Sequence, residues 1–319
     1  MVANRLAKLA FTVLTMKGKL ILVSMLLVLV LASTLSCQTS SSSPTKSIVV
    51  TYSILGSIVK ELVGDKATVT VSVPNGLDPH EWEPSAKDIE AINKAALVIE
   101  NGLGLEGGLE KTLQAARDNG VKFFTASDYI TVRHVGSGEG IPSGDPDQVV
   151  GAPDPHLWMD PIAMKGVVSG LASVLMKDLN LDVSSQAADL ENQLDSLNAE
   201  VANTVAAIPL ENRKLVTGHE SMGYFAQRYG FKLVGVIIPS LSTQADVSAA
   251  NLAALKKAIE DNQVKAIFTE LGTSPAVAKV IGDETGVKVV ELTTHALPSD
   301  GSYFTFLRNV AGVITNALK

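Results

Sequence analysis

The chain has 319 residues, a formal net charge of −7 and a single cysteine. At roughly 100–200 residues per domain that length suits about two domains, ample to bury a core. One cysteine excludes a disulfide within the chain, and the acidic balance argues against a nucleic-acid partner, which requires basic patches. Aromatics make up only 5% of the residues, and the abundance of Ala, Val, Leu and Gly suits an α/β protein with buried parallel sheets. Many enzymes share that composition, so it fixes a class and not a function.

Arg5, Lys8, Lys17 and Lys19 precede the apolar run Leu20–Ala32, and Ser33, Thr34, Leu35, Ser36 and Cys37 follow it. A basic start, a short apolar run and small residues before a cut site make an export signal over residues 1–37. The run falls short of the ~20 apolar residues of a membrane span. Met16 is an alternative start to Met1, because the segment from Met16 onward is already a complete signal. Leu35-Ser36-Cys37 resembles a bacterial lipobox, which predicts cleavage before Cys37 and lipidation of its thiol; Thr34 departs from that pattern, which prefers Leu. Ordinary cleavage that leaves a free thiol is the alternative. Residues 38–46, with the Ser-rich stretch Thr39–Ser43 and then Pro44, read as a flexible tether. The mature protein is therefore expected outside the cytoplasm, anchored by lipid to the outer face of the cell membrane, or in a periplasm if an outer membrane is present.

From Ser47 onward, short apolar runs alternate with helical patterns. Strands are expected at Ser47–Thr51, Thr68–Val73, Leu97–Glu100 and Val121–Thr125. Helices are expected at Ile54–Val63, Ser85–Ala95 and Leu109–Asn119. Residues Gly136–Pro155, rich in Gly, Pro, Ser and Asp, read as a long surface loop. Two helical stretches follow, Ile162–Leu179 and Ser184–Ala207. In the second, Ala187, Leu190, Leu194, Leu197, Val201 and Val205 recur three or four apart and make one apolar face. A second alternating set has strands at Leu215–Thr217, Lys232–Ile238, Ala266–Thr269 and Val287–Leu292. Its helices are Ser221–Tyr229, Val247–Asn262, Pro275–Thr285 and Phe304–Leu318. Strands alternating with helices imply βαβ units and parallel sheets. The expected architecture is two α/β lobes, residues 47–183 and 208–319, joined by one long helix over residues 184–207.

The chain contains five histidines, and four of them fall at inferred strand ends or helix starts. His80 follows a strand in Asp78-Pro79-His80, and His156 precedes a helix in Asp154-Pro155-His156. His219 lies between a strand and a helix, and His295 lies just past a strand. Ligands of open α/β sheets bind beyond the carboxyl ends of the strands. Two of these histidines come from each lobe, so a site between the lobes could gather all four. Neutral imidazole offers one lone pair while its second nitrogen donates a hydrogen bond. Four such nitrogens suit tetrahedral Zn²⁺, whereas Mn²⁺ is harder and prefers oxygen. A carboxylate or water could still join, and Glu81 and Asp300 are nearby in sequence.

Four segments carry a resemblance: NGLDPHEWEPSAKDIEAI (residues 75–92), PDPHLWMDP (153–161), VTGHESMGYFAQRYGF (216–231) and FTELGTSPAVAKVIGDETGVKVVEL (268–292). In this order and spacing they resemble the zinc/manganese solute-binding proteins of ABC importers, across residues 47–319. The resemblance implies two pseudo-symmetric lobes bridged by a rigid helix and a monomeric, non-enzymatic protein. It also implies delivery of a metal ion to an ABC permease and its ATPase subunits. His80, His156 and His219 match the family's three main ligands. The third is Glu in some manganese-type members, so His219 leans toward zinc. His295 stands where the family often has Asp, and Asp300 is its rival as fourth ligand. Glu270 matches a common family acid expected to support the site without joining the ligands. A Mn²⁺-specific carrier and a secreted zinc hydrolase are the competing functions; for the hydrolase, no HExxH motif occurs. His134, Glu139, Asp145 and Asp147 are expected in a plain solvated loop. Trp82 and Trp158 are expected in lobe-interface packing, with shielding of the site from water as the alternative.

Overall fold

The computed structural model describes residues 46–137, 139 and 150–319. The expected export signal, Cys37, all of the tether except residue 46, and most of the 136–155 loop, including Asp145 and Asp147, lie outside the described residues. No described helix is long and apolar enough to cross a membrane.

The N-terminal lobe runs β1 (Lys46–Tyr52), α1 (Ser53–Val63), β2 (Ala67–Val73), α2 (Ala86–Lys94), β3 (Leu97–Glu100), α3 (Glu110–Asp118) and β4 (Phe123–Thr125). Its four strands form one sheet in the order β2-β1-β3-β4, and every pairing is parallel. β1 and β3 are the inner strands, and Ile48, Val49, Val50, Leu97, Val98 and Ile99 are all buried. That explains their continuous apolar runs, because both faces of an inner parallel strand are covered.

Two long helices follow, α4 (Pro161–Leu179) and α5 (Ser184–Val205). Asp160 caps α4, its carboxylate accepting from the Ile162 N–H at 2.8 Å, and Pro161 takes the first turn where no amide partner is needed. The apolar face of α5 is buried at all six expected positions, Ala187, Leu190, Leu194, Leu197, Val201 and Val205. Each of the larger side chains is worth about 1.5–3 kcal/mol over leaving it in water. The helix packs against α1, α4 and the chain's last helix, α9 (Tyr303–Leu318). The long helix thus touches elements of both lobes.

The C-terminal lobe repeats the same succession with β5 (Lys214–Thr217), α6 (Gly223–Tyr229), β6 (Lys232–Val236), α7 (Ala249–Asp261), β7 (Ala266–Thr269), α8 (Pro275–Thr285) and β8 (Lys288–Glu291), before α9. β5 pairs with β6 and β7 with β8, both parallel. β5 and β7 lie side by side without a ladder between them. A separate apolar cluster, including Val216, Val234, Ile267, Leu255, Ile259 and Ile281, fills this lobe between strands, α7 and α8. The fold is α/β with parallel strands in both lobes.

The boundaries differ from expectation where backbone or side chains are used otherwise. The helix expected from Ser221 begins at Gly223 because the Ser221 hydroxyl is taken by Glu270 at 2.5 Å. The strand expected to run to Ile238 ends at Val236, yet the Ile237 and Ile238 N–H groups still donate to Thr217 and Gly218 carbonyls at 3.0 and 2.8 Å. α7 begins at Ala249 because Ser248 and Asn251 form a reciprocal capping box.

Candidate metal centre

Four loops, each at a strand end or helix start, meet between the lobes. The two Asp-Pro-His segments build their turns in the same way. Asp78 Oδ1 accepts the His80 N–H at 2.9 Å, and Asp154 Oδ1 accepts the His156 N–H at 2.9 Å. The carboxylate bridges a proline whose φ is fixed, so the histidine backbone is set before any ligand arrives. Asp154 does more than Asp78: its Oδ1 also lies 2.9 Å from His156 Nδ1, and its Oδ2 takes Arg133 Nη1 at 2.9 Å. The Asn101 side-chain amide holds the intervening Pro155 carbonyl at 2.8 Å.

In the C-terminal lobe, Thr217 Oγ1 donates to the His219 carbonyl at 2.7 Å. The buried carboxylate of Glu270 accepts from the Gly218 N–H at 2.9 Å, Ser221 Oγ at 2.5 Å and Thr294 Oγ1 at 2.7 Å. Only a glycine fits at 218, since a Cβ there would sit 2.2 Å from Thr273 Oγ1. The Thr294 hydroxyl also lies 2.9 Å from His295 Nδ1.

His80, His156, His219 and His295 are all buried, and one ligand atom from each can be chosen so that all lie within 4.8 Å of one another. Ring centroids are 5.0 Å apart for His156 and His219, 5.1 Å for His219 and His295, and 5.4 Å for His80 and His156. His219 Nε2 stands 3.2 Å from His156 Nε2. Zn–N bonds of 2.0–2.1 Å in a tetrahedron imply N···N spacings of roughly 3.3–3.4 Å, so this pair is already spaced for one shared ion. Asp154 can only accept from His156 Nδ1, which leaves His156 Nε2 as a bare lone pair. His80 Nε2 and His295 Nε2 are buried with no hydrogen-bond partner. Buried polar atoms without partners are costly, and lone pairs converging on one point are relieved by a cation.

The electrostatics agree. Burial, then the neighbouring His156, pushes His80 down to about 3. Burial, then the other imidazoles, holds His219 and His295 well below the usual histidine range. These rings are therefore neutral near neutral pH and free to coordinate. Burial pushes Glu270 up, while its hydrogen bonds from Ser221, Thr294 and Gly218 pull it back. Glu220, buried beside Asp154 and Glu139, is pushed up to about 8, chiefly by burial.

The other sequence candidates fall elsewhere. Asp300 is exposed, and its carboxylate accepts from the Ser302 N–H at 3.0 Å and Thr305 Oγ1 at 2.7 Å, at the start of α9. Glu81 is exposed. Neither belongs to the group of four histidines, the one such cluster of metal-ligating side chains among the described residues. His134 is exposed, and its backbone forms a bridge to Pro153. Trp158 packs at the lobe interface, as expected, and against two of the histidines. It is fully buried, packs on His156 and His295 at 5.3 and 5.4 Å between ring centroids, and donates Nε1–H to the Thr294 carbonyl across the lobes at 2.9 Å. Trp82 is half-buried against the main core. Sequence reasoning missed Asp154, Arg133 and Thr294 as supports; only Asp154 carried a signal, as the first residue of its Asp-Pro-His.

Comparison with known proteins adds an independent line. Residues 48–317 match the family model of ZnuA, described as zinc-uptake complex component A, periplasmic. The manganese-binding lipoprotein MntA of Halalkalibacterium halodurans is 27% identical over 273 residues, covering 83% of this chain and 84% of that protein. The high-affinity zinc uptake system protein ZnuA of Bacillus subtilis is 28% identical over 251 residues, covering 77% of each. Among solved structures, a crystal structure of ZnuA superimposes with a TM-score of 0.72 at 26% identity, over 86% of this chain and 100% of that one. The periplasmic zinc-binding protein TroA from Treponema pallidum gives a TM-score of 0.73 at 25% identity, over 86% of this chain and 99% of that one.

Proposed function

Since the chain belongs to the zinc-uptake complex component A family, we propose that it is the extracytoplasmic binding protein of a metal-ion ABC importer, with Zn²⁺ as its cargo. The ion is held by His80, His156, His219 and His295 and passed to a membrane permease driven by ATPase subunits. It is a binding component and not an enzyme. The observation that carries this reading is the convergence of four buried imidazoles, with unpartnered Nε2 atoms on His80 and His295 and a 3.2 Å approach between those of His156 and His219.

An all-nitrogen donor set favours zinc over manganese, which prefers oxygen and binds more weakly in the affinity order. Manganese is the second reading, supported by the manganese names of several relatives, MntA among them. Four protein donors close a tetrahedral shell and leave no position for an activated water, which is what separates a carrier site from a catalytic one.

Lipidation at Cys37, with residues 38–46 as tether, would hold the protein at the membrane next to its permease. A monomer is sufficient, because one chain supplies every proposed ligand. Exchange of the ion fits the His80 side. A cavity of about 540 Å³ opens there, lined by His80, Leu103, Val150, Pro153, Leu241 and Ser242 among others. At the His80 loop the lobes are joined by Gln244 Nε2, which donates to the His80 carbonyl at 3.3 Å. Elsewhere the seam is tied by shorter bonds, the reciprocal pair between the Asn75 side chain and Leu297 backbone at 2.7 and 3.0 Å and Trp158 to Thr294 at 2.9 Å. Titration of the metal-stripped protein with Zn²⁺ tests the reading: one tightly bound ion per chain is expected, and no binding would reject it.

A further inference from the structure

Glu270 is not one of the four converging imidazoles, yet it reaches both of those that come from its own lobe. Its Oε2 lies 3.4 Å from His219 Nδ1, too poorly aligned for a hydrogen bond. The same oxygen accepts the Thr294 hydroxyl at 2.7 Å, and that hydroxyl oxygen lies 2.9 Å from His295 Nδ1. We infer that Glu270 is a positioning residue for His295 and acts on it through the Thr294 hydroxyl as a relay. The inference rests on the metal-capture reading above and deepens it.

A hydroxyl has a single proton. Given to the carboxylate, it leaves Thr294 Oγ1 able only to accept, so His295 must carry its proton on Nδ1 and present Nε2 bare toward the other three rings. The backbone adds a second constraint, because the Thr294 carbonyl accepts from Trp158 Nε1 at 2.9 Å and ties this peptide to the other lobe. Glu270 itself is held in place. Its Oε1 takes the Gly218 N–H at 2.9 Å, its Oε2 takes Ser221 at 2.5 Å, and its backbone N–H and carbonyl bond to Thr273 at 3.2 and 3.0 Å. One buried carboxylate thus sets the donor atom of one ligand through a relay and faces the second directly. In the N-terminal lobe Asp154 performs that task for His156 alone.

The relay makes an unusual prediction for Glu270→Gln. Because the Gly218 N–H needs an oxygen, the new amide nitrogen is driven to the Oε2 position. There it donates to Thr294, and the Thr294 hydroxyl then donates to His295 Nδ1. The His295 proton moves to Nε2, the atom that should coordinate.

The test is ¹⁵N long-range correlation NMR of the imidazole nitrogens in the metal-free, full-length protein, with zinc affinity measured in parallel. Expected are Nδ1–H at His156 and His295 in the wild type and a shift toward Nε2–H at His295 in Glu270→Gln. Thr294→Val should release the His295 tautomer alone, with zinc affinity falling tenfold to a hundredfold, and Thr294→Ser should restore both. An unchanged His295 tautomer in Thr294→Val would overturn the relay, and so would an equal disturbance of all four imidazoles. Should Glu270→Gln fail to fold, the Thr294 pair decides the matter. Because the tautomers are read without metal, a wild type that bound no zinc would reject the capture reading and leave the relay standing or falling on its own result.

Discussion

His156 and His219 face one another through their Nε2 atoms at 3.2 Å, one from each lobe. With the proton of His156 held on Nδ1 by Asp154, the contact sets the His156 lone pair against His219 Nε2. A cation between them would replace that contact with two metal–nitrogen bonds, one to each lobe.

Asp154 should be the most sensitive residue that does not itself coordinate. It orients His156 and pairs with the buried Arg133. Asp154→Asn should weaken zinc binding tenfold to a hundredfold by loosening the ring. It should also cost stability, by about 1–3 kcal/mol, because Arg133 loses one of its two carboxylate partners and keeps Glu139. Calorimetric binding together with chemical denaturation of the metal-free protein would measure both, and a variant equal to wild type in each would contradict the role.

Asp300 and Glu81, in contrast, should be silent in binding. Both are exposed, and the Asp300 carboxylate is engaged by Ser302 and Thr305. Asp300→Ala should lower stability by about 1 kcal/mol or less, as for loss of a helix-start hydrogen bond, with zinc affinity within twofold of wild type. A tenfold loss of affinity in either variant would return that carboxylate to the ligand set.

Much of this was legible in the sequence, and the reasons are local. The buried face of α5 follows from six apolar residues at helical spacing, and the inner strands from unbroken Val/Ile/Leu runs. The convergence of four histidines was readable because each sits at the carboxyl end of a strand or the start of a helix, where α/β folds gather ligands. The contest between His295 and Asp300 was not decidable from spacing, since five positions separate them on one loop. What distinguishes them is a hydroxyl bonded to Glu270, 24 positions away in sequence, and a tryptophan from the other lobe. Hydrogen bonds over such separations leave no periodic trace. For the same reason Arg133 gave no signal, and the helix after His219 was expected two residues early.

Acid should destabilise the metal-free protein steeply. Folded His80 titrates at about 3, and His219 and His295 are also lowered, whereas unfolded histidine titrates near 6.5. Below that value the unfolded chain binds protons that the folded chain refuses. Stability supplied by each neutral ring is therefore full above about pH 6.5 and is lost as pH falls toward the folded value, at about 1.4 kcal/mol per pH unit per group. Melting curves between pH 7.5 and 4.5 should show this decline, shallower in His80→Leu. A flat profile would mean that the rings are not held neutral.

Exchange kinetics should depend on Gln244. Its amide is the described hydrogen bond that closes the His80 side, at 3.3 Å to the His80 carbonyl. Gln244→Ala should raise the zinc association and dissociation rates by similar factors, several-fold each, with little change in Kd. Stopped-flow chelator competition would measure them. Unaltered rates would direct the exchange path away from this cavity.

Competition between Zn²⁺ and Mn²⁺ for the metal-stripped protein, run on wild type and on His295→Ala, distinguishes a four-histidine zinc site from the alternatives. One tightly held zinc per chain is expected, not displaced by excess manganese, with affinity at least tenfold weaker in His295→Ala. Manganese preferred over zinc, or indifference to His295→Ala, would contradict a four-histidine zinc carrier.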